Sequence, residues 1–218
     1  MMPHDGPVLL TGFEAFGGAA VNPSREVVAQ LHGRYIEGRR VIGACLPVSF
    51  RRGPQELREL LRKHDPSMVL CVGLSPSRSH LSLERVAVNL ADARIADNDG
   101  DQPVDLPIVK RAPAAYFANL PVKAMVNRLR GRGFKAEVSY SAGTYVCNAV
   151  FYALMHALRR RTGVCGGFIH VPPIHPGQGA ALTELPKSVN EIASSLRVCI
   201  GVGLKVRRDT SISMGSED

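Results

Sequence analysis

A thiol, an imidazole and a carboxylate, far apart in the chain, carry the chemistry this sequence could perform. Cys147 lies in SAGTYVCNAVFYALMHALRRR, where a strand-like segment gives way to a helical pattern starting between Ser141 and Thr144. Unpaired N–H groups and the positive end of the dipole favour a thiolate at such a start. His170 stands late in the short apolar run GFIHVPP, where its ring can reach a sheet rim and serve as a base. Glu84, in LSLERVAVN, shares strand parity with Val86, Val88 and Leu90 and so points toward an apolar side. A carboxylate there needs a partner, because an unpaired buried charge is costly. An imidazole would satisfy it and be oriented by it, which is the logic of a nucleophile, base and orienter.

Each residue also has a plainer reading. Cys147 could be a small buried apolar residue, as Cys45, Cys71 and Cys199 are expected to be from their apolar patterns. His170 could be a hydrogen-bonded structural histidine, and Glu84 could pair with Arg85 or Arg94. Asn22 has the type and place of a helix cap. The glycines of TGFEAFGG do not make a phosphate loop, since Gly18 stands where the lysine would be. They let the chain turn sharply and hold Phe13 and Phe16 beside a ligand.

The elements that must position these groups alternate between strand and helix. PVLLTGF, RVIGACLPV, SMVLCVGL, FKAEVSYS and GGFIHVPP read as strands. NPSREVVAQLHG reads as a helix with Asn22 as cap, Pro23 first and Gly33 as stop. Further helices are expected in PQELRELLRKH, PVKAMVNRLRGRG, the segment around and after Cys147, and LPKSVNEIASSLRVCIGVGLK. LERVAVNLADARI reads as an antiparallel strand or an edge hairpin, and DNDGDQPVDLP as loop. Short connections argue for an α/β fold: one α/β/α sandwich over residues 1–206, with an open, twisted, mostly parallel sheet. Residues 207–218 read as a flexible tail. In such sheets sites gather at strand carboxyl ends, where Phe13, Leu74, Cys147 and His170 are expected.

Composition narrows the partners. The net charge of +8 is dispersed over several arginine groups and aromatics are few, which argues for a basic solvated surface rather than a nucleic-acid groove. No run approaches a membrane span, and MMPHDGPVLL lacks the features of a signal peptide. Five scattered cysteines without a C-x-x-C pair fit reduced thiols in a cytoplasm. The nearest metal-like set, Cys165, His170 and His175, is interrupted by Pro172 and Pro173, so no metal site is expected.

LLTGFEAFGG with NPS, ERVAVNLADARIADN, SAGTYVCNA and GFIHVP, in this order from Leu9 to about Pro172, resemble the motifs of pyroglutamyl peptidase type I, a cytosolic cysteine peptidase family. The resemblance implies a single α/β/α domain, neither metal nor organic cofactor, and frequently a homotetramer. It implies action on peptides carrying N-terminal pyroglutamate. By motif position Cys147 corresponds to the nucleophile, His170 to the general base and acid, and Glu84 to the residue orienting the histidine. Phe13 and Phe16 correspond to aromatics enclosing the lactam ring, Asn22 to a polar contact and Leu74 to a main-chain contact. Ile95, Tyr145 and Val146 correspond to further pocket positions, and Arg94 to an aid for the oxyanion. Pro76-Ser77-Arg78 replaces the usual Gly-Gly-Arg, Val48 a threonine, Ala15 a proline and Tyr145 a phenylalanine. The altered turn motivates a second reading, a module that binds pyroglutamyl termini without turnover.

Overall fold

A computed structural model describes residues 5–174 and 188–215. The elements in chain order are β1 (Val8–Phe13), α1 (Pro23–Leu31), β2 (Tyr35–Ile36), β3 (Arg39–Leu46), α2 (Arg52–His64), β4 (Met68–Leu74) and β5 (Leu81–Glu84). There follow β6 (Val86–Val88), β7 (Ala115–Phe117), α3 (Val122–Arg130), β8 (Ala136–Ser139), α4 (Val146–Leu158), β9 (Cys165–Val171) and α5 (Val189–Lys205).

Seven strands form one sheet in the order β2-β3-β1-β4-β9-β5-β8. The central strands β3, β1, β4 and β9 run parallel. The continuous apolar runs of β1, β4 and β9 are buried on both faces, as a parallel sheet covered by helices requires, whereas β3 is only partly covered and leaves Cys45, expected to be buried, exposed. Register then fixes which side chains share a face. Thr11 pairs with Cys71, Cys71 with Phe168 and Gly73 with His170, so these groups project to one side, together with Phe13. Helix α4 covers that side: a Cβ on Gly166 would meet the Leu158 Cδ1 at 2.6 Å. The opposite side is covered by α1 and α5. A Cβ on Gly12 would strike the Ser24 carbonyl at 2.6 Å, and one on Gly203 the Met68 Cε at 2.7 Å.

Of the two readings of LERVAVNLADARI, the antiparallel strand is the one realised: β5 lies between β9 and β8, antiparallel to the former and parallel to the latter, and β6 is antiparallel to β7. One expectation is corrected by the pairing. β5 ends at Glu84, and β6 belongs to a separate two-stranded sheet with β7. Glu84 therefore does not share a face with Val86 and Val88 through one continuous strand. It shares one with Ser82, opposite Phe168 and His170. The alternation simply runs on in the sequence past a break in the chain's direction.

The stretch from residue 207 is anchored at two points within the described residues. Asp209 accepts hydrogen bonds from the Lys123 and Ala124 main-chain N–H groups (3.1 and 2.8 Å), capping α3 from outside. The Tyr140 hydroxyl donates to the Met214 carbonyl at 3.2 Å. A tail reading from composition misses this because one aspartate at a helix start suffices to hold it. His175 and the first residues of the expected last helix, 185–187, lie outside the described residues.

Candidate active site

The imidazole and the carboxylate come from two adjacent strands. His170 on β9 and Glu84 on β5 are buried, at 5% and 0% exposure, and the ring Nδ1 lies 2.7 Å from the Glu84 Oε1. An ionised carboxylate only accepts, so Nδ1 carries the proton and Nε2 is left with its lone pair toward the site. Phe168, two residues back on β9, packs against the imidazole at 4.9 Å between centroids and shields the pair from water.

The thiol is carried on a helix. Tyr145 is the N-cap of α4 and offers no side-chain cap bond, and the first helical hydrogen bond runs from the Ala149 N–H to the Tyr145 carbonyl. Cys147 is thus the second residue of the helix, nearer its start than the sequence pattern suggests. The N–H groups of Val146, Cys147 and Asn148 lie ahead of that bond and gather at the helix mouth. Asn148 locks this end in place. Its amide accepts from the Val88 N–H at 3.0 Å and donates to the carbonyls of Val88 (2.9 Å) and Leu90 (3.0 Å).

Thiol and imidazole lie on the same face of the sheet, both neighbouring Gly73. A Cβ built on Gly73 would lie 2.8 Å from the Cys147 Sγ, and Gly73 is the registered neighbour of His170 on the adjoining parallel strand. The sulfur therefore rests on the face from which His170 projects, against the gap a glycine leaves. Burial pushes the thiol up to about 12, with the Glu84 carboxylate and then Cys71 adding to it. The helix start alone does not make a thiolate here; the proton must be taken.

The cation beside Glu84 is neither Arg85 nor Arg94. Arg85 lies over the Phe117 ring at 4.9 Å and donates to the Ala118 carbonyl. Arg78 fills the place, with Nη2 3.3 Å from the Glu84 Oε1. It is delivered by a turn in which the Arg78 N–H bonds the Ser75 carbonyl at 3.2 Å, placing Pro76 where a turn favours proline. Ser77 has no positive φ, so the turn needs no glycine.

The mouth is walled by residues from four segments. Phe16 packs on Tyr145 at 6.2 Å, and Phe50 meets Tyr145 edge-on at 5.3 Å. The loop carrying Arg94 and Ile95, both exposed, is tied to the nucleophile segment at either side. Asp92 and Thr144 exchange two bonds, and the Tyr145 hydroxyl donates to the Ala96 carbonyl at 3.0 Å. Asn98 joins the same loop to the first motif through the Glu14 Oε1 and the Ala15 carbonyl, both at 2.9 Å. Gly17 and Gly18 turn that motif with φ of 61° and 79°. Phe13 is only 2% exposed and packs on Phe168 at 6.2 Å, so it forms the floor while Phe16 stands at the rim.

Asn22 is buried and occupied. Its Oδ1 accepts from the Ser24 N–H and hydroxyl, capping α1, and its Nδ2 donates to the Glu14 carbonyl at 2.9 Å. The capping alternative is the one realised, and Asn22 acts on the site by holding the loop of Phe13 and Phe16. Leu74 closes β4, its side chain on the face away from Gly73, while the next N–H, that of Ser75, bonds the Val171 carbonyl at 3.0 Å. Val146 is buried at the start of α4. Of the metal-like set, Cys165 and His170 lie five residues apart on one strand with opposite parity, and among the described residues no three ligating side chains converge.

Gly73, Arg78, Phe168 and Asn148 are site-forming residues that sequence reasoning passed over. A glycine inside the apolar run CVGL was a readable sign of close approach. The others depend on pairings that only the fold reveals.

Residues 7–206 match the family described as pyroglutamyl peptidase. A pyrrolidone-carboxylate peptidase of Klebsiella pneumoniae is 47% identical over 210 residues, covering 96% of this chain and 98% of that protein. One from Bacillus cereus is 41% identical over 205 residues, covering 90% and 95%. Among solved structures, pyroglutamyl peptidase I of Bacillus amyloliquefaciens superposes with a TM-score of 0.90 at 39% identity, covering 96% of this chain and all of that one. The pyrrolidone carboxyl peptidase of Thermococcus litoralis gives 0.89 at 38%, covering 95% and 99%. With a family match over most of its length, and with relatives this similar from end to end, the chain belongs to the pyroglutamyl peptidase family.

Proposed function

We propose that this protein is a cysteine exopeptidase that hydrolyses the amide bond after an N-terminal pyroglutamyl residue, with Cys147, His170 and Glu84 as its reacting set. The observation that carries the reading is the buried Glu84–His170 bond facing a thiol at a helix start over Gly73. Pyroglutamate has no ammonium to anchor. What remains is a flat lactam with one N–H and one C=O, which suits an apolar slot with a few polar groups. Phe13, Phe16 and Tyr145 supply that slot, Asn22 holds its loop, and the main chain at Leu74 with Ile95 and Val146 completes the wall.

His170 Nε2 takes the thiol proton as the sulfur attacks the pyroglutamyl carbonyl, and Glu84 stabilises the imidazolium. N–H groups at the start of α4 receive the developing oxyanion, with Arg94 reaching in from the adjoining loop. His170 then gives its proton to the departing amine, so the peptide leaves and a thioester stays on Cys147. A water, its proton taken by His170, cleaves the thioester, releases pyroglutamate and restores the thiol. Burial holds the Cys147 thiol up, which suits a scheme in which a base takes its proton.

The reaction needs neither metal nor organic cofactor among these residues. A reducing cytoplasm suits the five unpaired cysteines, one of which must stay a thiol to react. Assembly into a homotetramer rests on the family resemblance and is checked by sedimentation. A fluorogenic pyroglutamyl amide, compared with prolyl and alanyl amides under reducing conditions, tests the reading. Turnover of the first alone, lost in Cys147→Ala, is expected. Folded protein that binds the pyroglutamyl amide without cleaving it would favour the non-catalytic module, for which the altered turn at Pro76 and Ser77 is the motive.

A further inference from the structure

Arg78 is the best-connected side chain around the site that carries none of the proposed chemistry. Its Nη2 donates to the Ser139 Oγ at 2.9 Å and the Ser141 carbonyl at 3.0 Å, and lies 3.3 Å from the Glu84 Oε1. Its Nη1 lies 3.5 Å from the Glu137 Oε1, and Glu137 in turn meets the Ser82 hydroxyl (2.7 Å) and the His80 Nε2 (3.0 Å). The guanidinium thus touches β5, the end of β8, and the segment that leads from β8 to the nucleophile on α4. The Glu84 Oε1 is shared between this guanidinium and the imidazole, while its Oε2 has no hydrogen-bond partner among the described residues. Everything that orients the carboxylate therefore acts on one oxygen.

The charge count gives the arrangement its meaning. With Cys147 as thiol, His170 neutral, Glu84 ionised and Arg78 cationic, the buried set is neutral. Moving the thiol proton to His170 creates thiolate and imidazolium together, and the total is unchanged. Without the guanidinium the Glu84 Oε1 would keep the imidazole alone among the described residues, and the carboxylate would lose its tie to β8 and to the segment that presents Cys147. A carboxylate free to turn no longer fixes the Nδ1–H direction, so the imidazole loses its orientation.

Resting on the Cys147–His170–Glu84 reading, we propose that Arg78 is a positioning residue of the reaction, holding Glu84 in register and linking it to the segment that presents Cys147. The groups that face Glu84 are His170 from β9, Cys147 from α4 and Arg78 from the turn after β4, with Glu137 and His80 beyond the guanidinium and Cys71 beneath the thiol. The Pro76-Ser77 turn, far from idling, is what delivers this arginine.

The test is a double-mutant cycle in the full chain on a fluorogenic pyroglutamyl amide. Arg78→Met is expected to lower kcat by about 10²-fold and to leave KM within about three-fold. Arg78→Lys keeps a charge but loses the bonds to Ser139 and Ser141, and should recover roughly a tenth of wild-type kcat. In a Glu84→Gln background either substitution should cost less than about three-fold, because the charge it serves is gone. An R78M enzyme within about three-fold of wild type, or equal losses in both backgrounds, overturns the proposal. Should R78M not fold, R78K in the same two backgrounds decides by the same criterion. Wild-type turnover, measured alongside, judges the underlying reading separately.

Discussion

Gly73 and Cys147 compete for one space: a Cβ at residue 73 would lie 2.8 Å from the Cys147 Sγ and 2.8 Å from the Phe168 ring. The glycine is needed for what it lacks. Gly73→Ala should displace the thiol or tilt Phe168 against the imidazole it packs on. Overpacking of this kind costs about 1–3 kcal/mol of stability, and displacement of a nucleophile by a fraction of an ångström should lower kcat by about 10²-fold. Urea denaturation and steady-state kinetics check both; a fully active Gly73→Ala enzyme would show the sulfur is not seated there.

The thiol is held protonated by burial, with pKa raised to about 12 from an ordinary 9.0. Carboxamidomethylation of Cys147 without substrate should therefore rise steadily with pH through 10, without levelling near neutrality. Peptide mass spectrometry separates it from the exposed Cys45. A rate already saturated at pH 7 would mean a preformed thiolate and would contradict this picture.

Asn148 bears on the fold and on the site at once. Its amide satisfies three main-chain groups of the segment after β5, and it is fully buried. Asn148→Ala leaves those groups unpaired and should destabilise by roughly 2–4 kcal/mol in urea unfolding, with reduced turnover. Asn148→Asp keeps the acceptor but loses both donations and buries a charge, so it should be no better. A loss below about 1 kcal/mol in Asn148→Ala would refute the clamp.

Alkaline stability follows from two fully buried thiols. Burial raises Cys71 and Cys199 to about 12. Each thiol is neutral in both states at neutral pH, so its contribution is intact below the unfolded value of 9.0 and is lost as pH climbs toward the folded one. Stability should fall above pH 9, each thiol adding a slope of about 1.4 kcal/mol per pH unit. Cys199→Ala, remote from the site on α5, should flatten that decline by about one such share between pH 9.5 and 11. An unchanged slope would remove Cys199 from the account.

Much of this was readable in advance, and the failures have a common cause. Helix α1, with Asn22 as cap, Pro23 at its head and Gly33 after its end, follows from local rules, and local geometry honours them. The central strands announced themselves by continuous apolar runs. Glu84 was singled out for the wrong reason: the parity assigned to it runs across a break between β5 and β6 that the alternating pattern conceals. Its true neighbours come from a strand 84 to 86 residues later in the chain, through an antiparallel register no local signal encodes. Arg78, and not Arg85 or Arg94, lies beside Glu84, because nearness in sequence does not tell which arginine the turn after β4 delivers. Asp209 shows the same at the other end, one carboxylate tethering a stretch whose composition suggests freedom.

The antiparallel seam between β9 and β5 has one more implication. Ser82 sits opposite His170 and Glu84 opposite Phe168, so the imidazole and its carboxylate hang from two backbones stitched together by main-chain bonds. Their spacing is a property of the weave, whereas the sulfur stands on a helix reached through a connection from residue 140 to 145. That weave keeps the pair's separation fixed whether or not a peptide is bound, so deuterium uptake should be slow at 82–84 and 168–170.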